Sequence, residues 1–162
     1  MQETIQYGLI IGLAIALVLA AVSDIRHRII ANWLNGVIAL GAPFFWWASG
    51  FDLWPNVVIQ LALAIGVFAI FAGLFAMGLI GGGDVKLLTV LALWLSPLSF
   101  ASMLLIMAIV GGLVALGFIV RRVVFKPATQ GKLPYGVAIT AGGLWVLAVN
   151  YLPFNLLTGT AA

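Results

Sequence analysis

The feature that most constrains this chain is a succession of apolar runs, each suited in length to a bilayer, joined by connections that hold most of the charge. Runs such as Leu61 to Ile70 and Met103 to Val110 show no alternation of polar and apolar residues, so they do not read as strands of a transmembrane barrel. A helix satisfies its own backbone hydrogen bonds in lipid, and about 20 residues cross about 30 Å of hydrocarbon. The pattern predicts helices over 5–23, 35–48, 57–77, 85–95, 98–120 and 137–152. The expected fold class is therefore all-α and integral to the membrane, a bundle of about six transmembrane helices forming one domain over residues 1–162. Composition agrees: 65% of the residues are hydrophobic and 7% charged, far from the balance of a soluble domain.

Charge placement orients the bundle. Arg26, Arg28, Lys86, Arg121, Arg122, Lys126 and Lys132 all lie in or beside the connections 24–34, 78–84 and 121–136. The other set, made of the N-terminus, 49–56, 96–97 and the C-terminus, holds none of them. By the positive-inside rule the first set is cytoplasmic and both termini are extracytoplasmic. The same sorting argues against a nucleic-acid partner, which needs a clustered basic face on a soluble surface. Lys86 and the Arg121 to Lys132 cluster read instead as anchors to membrane lipid phosphates. The first run follows Glu3 and precedes its basic residues, so it reads as an uncleaved spanning helix rather than a signal peptide.

The chain has no cysteine and one histidine, which excludes disulfides, thiolate metal sites and a cysteine nucleophile. His27 has no second histidine beside it, no GxSxG elbow is present, and Asp84 to Lys86 stands where a phosphate loop needs Gly-Lys-Ser/Thr. Neither a metal nor a cofactor is expected.

Four acids remain to account for. Glu3 and Asp52 fall in the extracytoplasmic set, where water solvates them, leaving Asp24 and Asp84. A fourth helix of only eleven residues, 85–95, spans about 17 Å and places Asp84 below the cytoplasmic boundary. Gly81 to Gly83 reads as irregular backbone, tolerated at depth only beside protein or a water-filled cavity. Asp24 closes the first helix at the same boundary, so the two carboxylates can meet. Ionisable groups at such depth are costly and mark function. Two acids in one cavity disfavour double ionisation, and one protonated plus one ionised carboxyl is the state that activates water for peptide hydrolysis. The plainer readings are that Asp84 caps the fourth helix and that Asp24 pairs with Arg26 or Arg28. The recurring glycines, among them Gly66, Gly73, Gly142 and Gly143, read as helix-packing positions. The tryptophans Trp33, Trp46, Trp47, Trp54, Trp94 and Trp145 mostly fall near helix ends, as interfacial anchors do.

Three stretches carry a family resemblance: Ser23-Asp24-Ile25-Arg26-His27-Arg28-Ile29-Ile30-Ala31-Asn32, Gly81-Gly82-Gly83-Asp84-Val85-Lys86, and Lys132-Leu133-Pro134-Tyr135-Gly136. Together they resemble the type IV prepilin peptidases, which are GxGD-type membrane aspartyl proteases, with Ala31 where that family usually has proline. The resemblance implies Asp24 and Asp84 as the catalytic pair. It also implies that Gly81, Gly83, Lys86, Asn32, Pro134, Tyr135 and Gly136 shape the site or contact substrate. The implied partner is a prepilin or pseudopilin precursor, cut on the cytoplasmic side of the inner membrane. The absence of the cysteine-bearing N-terminal segment resembles the short form that serves tight-adherence (Flp) pili, and implies cleavage without methylation. The precursor helix is expected to lie against the third, fourth and sixth helices, with its extended cleavage segment on the backbone near Asp84. The competing reading is a small proton- or cation-coupled transporter using the same two acids, but its path would need polar residues continuing outward. A passive scaffold leaves the buried acids unexplained.

Overall fold

The computed structural model describes residues 1–125 and 135–151, of which 121–125 are described as backbone alone. Six α-helices follow in order: α1 (Gln2–His27), α2 (Asn32–Ala48), α3 (Val58–Ala76), α4 (Gly82–Ala92), α5 (Pro97–Phe125) and α6 (Tyr135–Tyr151). Among the described residues there is no strand. A wide turn at Leu53–Val57, with Trp54 extended, leads into α3. Three stretches are long and apolar enough to cross a membrane: Gln2–His27, Leu53–Ala76 and Pro97–Val120. Tyr135–Tyr151 is apolar but shorter.

The helices pack in a chain of neighbours. α6 lies between α5 and α1, α1 packs on α2, and α4 touches α2, α3, α5 and α6. α4 is correspondingly covered on most sides, burying Val85, Leu87, Leu88, Val90, Leu91 and Ala92 along with Asp84. α3 buries only Gln60, Ala64 and Val67, one stripe at i, i+4 and i+7, and leaves Ile65, Phe68 and Ile70 exposed. Gly142 and Gly143 do the packing expected of them: a Cβ at Gly142 would lie 2.6 Å from the Met103 carbonyl oxygen, and one at Gly143 would lie 2.9 Å from Leu17. Gly66 and Gly73 face open space instead.

Trp94 corrects the reading of tryptophans as interfacial anchors. It is 4% exposed, stacks on Phe45 at 5.1 Å, and donates its indole N–H to the Ile38 carbonyl at 2.9 Å. Trp46 returns the link by donating to the Leu93 carbonyl at 2.8 Å. These two bonds fasten α2 to the C-terminal end of α4. A buried indole N–H must find an acceptor, and carbonyls at a neighbouring helix or helix end supply one. Trp33, Trp47, Trp54 and Trp145 are more than half exposed, as anchors would be.

Candidate active site

Each acid sits at the end of its helix that faces the same cavity, and helix boundaries explain how. α1 runs one turn further than its apolar run, so Asp24 lies inside its last turn rather than closing it. The helix stops at Arg28, whose left-handed backbone (φ 56°, ψ 30°) lets its N–H return to the Asp24 carbonyl oxygen at 2.9 Å. That conformation is uncommon without glycine or asparagine and reverses the chain sharply. Ser23 secures the turn by donating its hydroxyl to the Ile29 carbonyl at 2.7 Å. Ala31 then takes φ −64°, ψ 136° ahead of α2, which is the backbone a proline would impose. The missing ring therefore does not alter the path.

Asp84 arrives differently. α3 ends at Ala76, and Gly78, with φ 75°, turns the chain toward α4. α4 begins three residues earlier than its hydrophobicity suggests: Gly81 is the capping residue, and Gly82 and Gly83 are already helical. The irregular backbone expected across the triplet is thus confined to its first glycine. Asp84 stands at the third helical position, and no side-chain cap bond is made at the N-cap, so it is not the N-cap residue. Its carboxylate folds back over Gly81, where a Cβ would come within 2.9 Å of Oδ2.

Both carboxylates are buried, at 7% exposure for Asp24 and 8% for Asp84. They border one cavity of about 800 Å³. Its walls are the α1–α2 connection from Arg28 to Asn32, the Gly78 to Gly83 turn, Phe75 from α3, Lys86 from α4 and Tyr135 from α6. The first turn of α6 closes on Asp24: Gly136 donates its backbone N–H to Asp24 Oδ2 at 2.8 Å. That N–H belongs to the first turn of a helix, where backbone donors lack intrahelical partners. A Cβ at Gly136 would lie 2.8 Å from Oδ2 and 3.0 Å from Asp24 Cβ, so only glycine admits this approach. Among the described residues neither Arg26 nor Arg28 forms an ion pair with Asp24 within 4.0 Å, so pairing does not account for its burial.

The described sequence-predicted site residues are therefore brought together; Pro134 lies outside the described residues. Asn32 and Lys86 are bonded to each other, Lys86 Nζ donating to Asn32 Oδ1 at 2.8 Å across the cavity between α4 and α2. Gly83 lines the cavity, and a Cβ there would meet Ile30 Cβ at 3.2 Å, so its bareness also lets the α1–α2 connection close on α4. The residues next to Asp84 that line the cavity are Gly81, Gly82 and Gly83, with Phe75 packed over Gly82 at 3.3 Å from where its Cβ would be. Sequence reasoning missed Phe75 and Ile30 as walls. Nothing distinguishes Phe75 from the other phenylalanines of an apolar run, and Ile30 declares itself only through its 5% exposure in a connection.

The arrangement offers two carboxyl groups at the edge of a cavity walled by both apolar side chains and free backbone, which suits acid–base chemistry on a bound peptide. No curated protein and no solved structure matches the chain. The model of the type IV leader peptidase family matches residues 11–116, a span that holds Asp24, the glycine triplet, Asp84 and Lys86 and stops before Tyr135, and on that match over more than half its length the chain belongs to the type IV leader peptidase family.

Proposed function

We propose that this protein is an intramembrane aspartyl endopeptidase that removes the leader of a prepilin of the tight-adherence (Flp) class, using Asp24 and Asp84. The observation that carries the reading is the joint placement of both buried carboxyls on one cavity. Family membership supports a peptidase acting on a leader-bearing precursor.

In this mechanism the pair shares one proton, because two carboxylates in a water-poor site resist double ionisation. The ionised member takes a proton from a water as that water attacks the scissile carbonyl carbon. The protonated member donates to the carbonyl oxygen as it becomes tetrahedral. Collapse of that intermediate breaks the C–N bond, with the proton delivered to the leaving amine. Asp24 Oδ2 is committed to Gly136, which fixes the carboxyl plane and leaves Oδ1 for water or substrate. The cleavage segment must be extended to present its carbonyl. The Leu79 to Gly81 and Ile29 to Ala31 backbones, neither helical, border the cavity where such a segment would pair.

The cavity end of the bundle is assigned to the cytoplasmic side of the inner membrane, and both termini to the outside. The support is charge: Arg26 and Arg28 end α1 and Lys86 begins α4, at the same end as the acids. α4, eleven residues and about 17 Å long, stops short of that face and leaves room for the cavity.

The test is cleavage of a membrane-inserted Flp-type precursor by the purified protein, beside Asp24→Asn and Asp84→Asn variants of unchanged thermal stability. Loss of product in both variants supports the pair. Full activity in either variant, or no cleavage by the wild type, sinks the two-carboxylate mechanism and favours a transport role for the acids.

A further inference from the structure

α4 stays accessible along one line. Apart from Gly83, which lines the cavity, the residues of α4 and its C-cap that are not buried are Gly82, Lys86, Thr89 and Leu93. Their spacing of i, i+4, i+7 and i+11 puts them on one face. Two helices flank this face. From α2, Asn32 accepts the Lys86 bond and Trp46 donates to the Leu93 carbonyl, while from α3 Phe75 lies over Gly82. Both helices pack on α4 and scarcely touch each other, so a groove floored by α4 runs between them, starting at the cavity beside Asp84. Toward α6 the same helix is closed, with Leu91 4.0 Å from where a Gly143 Cβ would lie.

The walls differ in kind. On α2, Gly36 and Ala39 share the face of Asn32 and Trp46, and a Cβ at Gly36 would meet nothing within 4 Å. On α3, Phe68, Phe71 and Phe75 fall at i, i+3 and i+7, and no residue from Phe68 to Leu79 is buried, although Gln60, Ala64 and Val67 nearer the other end are. The groove is therefore widest at the cavity and narrows away from it. Beyond the Asn32–Lys86 bond its polar atoms are spent within the protein: the Thr89 hydroxyl on the Val85 carbonyl at 2.8 Å, the Trp46 indole on Leu93.

We infer that this α2–α3 groove is the track in which the apolar helix of the precursor docks. The inference rests on the peptidase reading above and places α2, not α6, beside α3 and α4 as the docking surface. A cleavage segment held at the acids has to continue into the bilayer as a helix that satisfies its own backbone, and the groove is the apolar exit continuous with the cavity. The floor from Gly82 to Leu93 is about 17 Å long, enough for three turns of an occupant. Gly36 and Ala39 let its backbone come close, and the phenylalanines cover its other side.

The experiment uses the full-length protein in phosphatidylcholine vesicles with a membrane-inserted Flp-type precursor. Because the chain has no cysteine, single introduced cysteines report contacts without background. Thr89→Cys on the floor and Ala39→Cys on the α2 wall are each combined with Asp84→Asn, which keeps the precursor whole, and oxidised with precursors carrying one Cys at successive helix positions. Both are expected to form disulfides at precursor positions recurring every three to four residues, about 10-fold more than Leu113→Cys on the exposed face of α5. Gly36→Leu and Gly112→Leu, made separately with both acids intact, each put a side chain where a Cβ meets nothing within 4 Å, so both fold normally. Gly36→Leu should raise KM for the precursor about 10-fold with kcat little changed, and Gly112→Leu should change neither. Disulfides no more frequent at Thr89 and Ala39 than at Leu113, capture there of a second copy of the protein in place of the precursor, or an unchanged KM in Gly36→Leu overturns the groove while leaving the peptidase reading intact. Failure of the wild type to cut the precursor overturns the peptidase reading, and the groove falls with it.

Discussion

At its first turn α4 carries Asp84 beside an open cavity, its carboxylate folded over Gly81, where a Cβ would lie 2.9 Å from Oδ2. Just beyond its last turn, Trp94 is stacked on Phe45, bonded to Ile38 and pressed so close to α2 that a Cβ at Gly41 would lie 2.7 Å from the indole ring. One short helix thus has a polar end built around space and an apolar end built without any. The closed end holds α4 to α2, which helps fix the position of the buried carboxyl at the open end. Precision at a site is supplied by rigid elements that support it from elsewhere.

The sharpest way to break this comparison is to change each end separately and read activity against stability. Asp84→Asn is isosteric, and we expect precursor cleavage to fall by on the order of 10³-fold or more with the thermal midpoint unchanged. Trp94→Ala is expected to do the reverse in kind. It empties a buried ring site and strands the Ile38 contact, costing about 3 kcal/mol, near the low end for such truncations because lipid does not drive apolar burial as water does. The measurement is thermal unfolding of detergent-solubilised protein beside specific activity of its folded fraction. A stability loss in Asp84→Asn equal to that in Trp94→Ala would erase the distinction between the ends.

A narrower contrast compares two glycines. Gly136→Ala forces a methyl against Asp24 Oδ2 and Cβ, so α6 or the carboxyl must move by a good fraction of an ångström. A misplacement of that size costs about 10²-fold in rate, and we expect that loss in cleavage with a smaller effect on unfolding. Gly41→Ala drives its methyl into Trp94, a ring with nowhere to retreat, and should cost about 1–3 kcal/mol of stability while the folded fraction keeps its activity. Equal activity losses in the two variants would mean that strain at the closed end reaches the cavity.

What the sequence made legible, and what it did not, divides along the same line. Six helices follow from apolar runs alone, and the acids stand out because an embedded carboxyl is costly wherever the helix ends fall. The ends themselves were misjudged by two to five residues at α1, α2, α4, α5 and α6, since hydrophobicity marks where lipid begins and not where helical hydrogen bonding stops. Those few residues matter: they convert Asp84 from a residue ahead of a helix into one inside its first turn, and they make Gly136 N–H an unpaired helix-start donor for Asp24. The bond between Gly136 and Asp24 joins residues 112 apart and has no local signature, although a Pro-aromatic-Gly start to an apolar run hints at a close approach. Trp94 was misread because a tryptophan near a helix end has the same sequence context whether it faces the headgroups or the core.

The smallest effect sharpens the same comparison from the loop that joins the two acids' helices. Ala31 already has φ −64°, ψ 136°, its N–H donates no backbone hydrogen bond, and Ile30 before it is outside any helix. Proline at that position therefore meets neither of the objections that usually exclude it, a wrong φ or a lost donor. Its benefit comes from the unfolded chain, which loses conformations it would otherwise sample, so Ala31→Pro should raise stability by about 0.4–1 kcal/mol. Because the substitution leaves the backbone path of Arg28 to Asn32 as it is, kcat/KM for the precursor should change by less than about twofold. Thermal unfolding and cleavage assays on the one variant decide it. A drop in stability would mean that residues 29–31 do not hold this extended backbone, and with it would go the account of how α1 and α2 present Asp24 and Asn32 to one cavity.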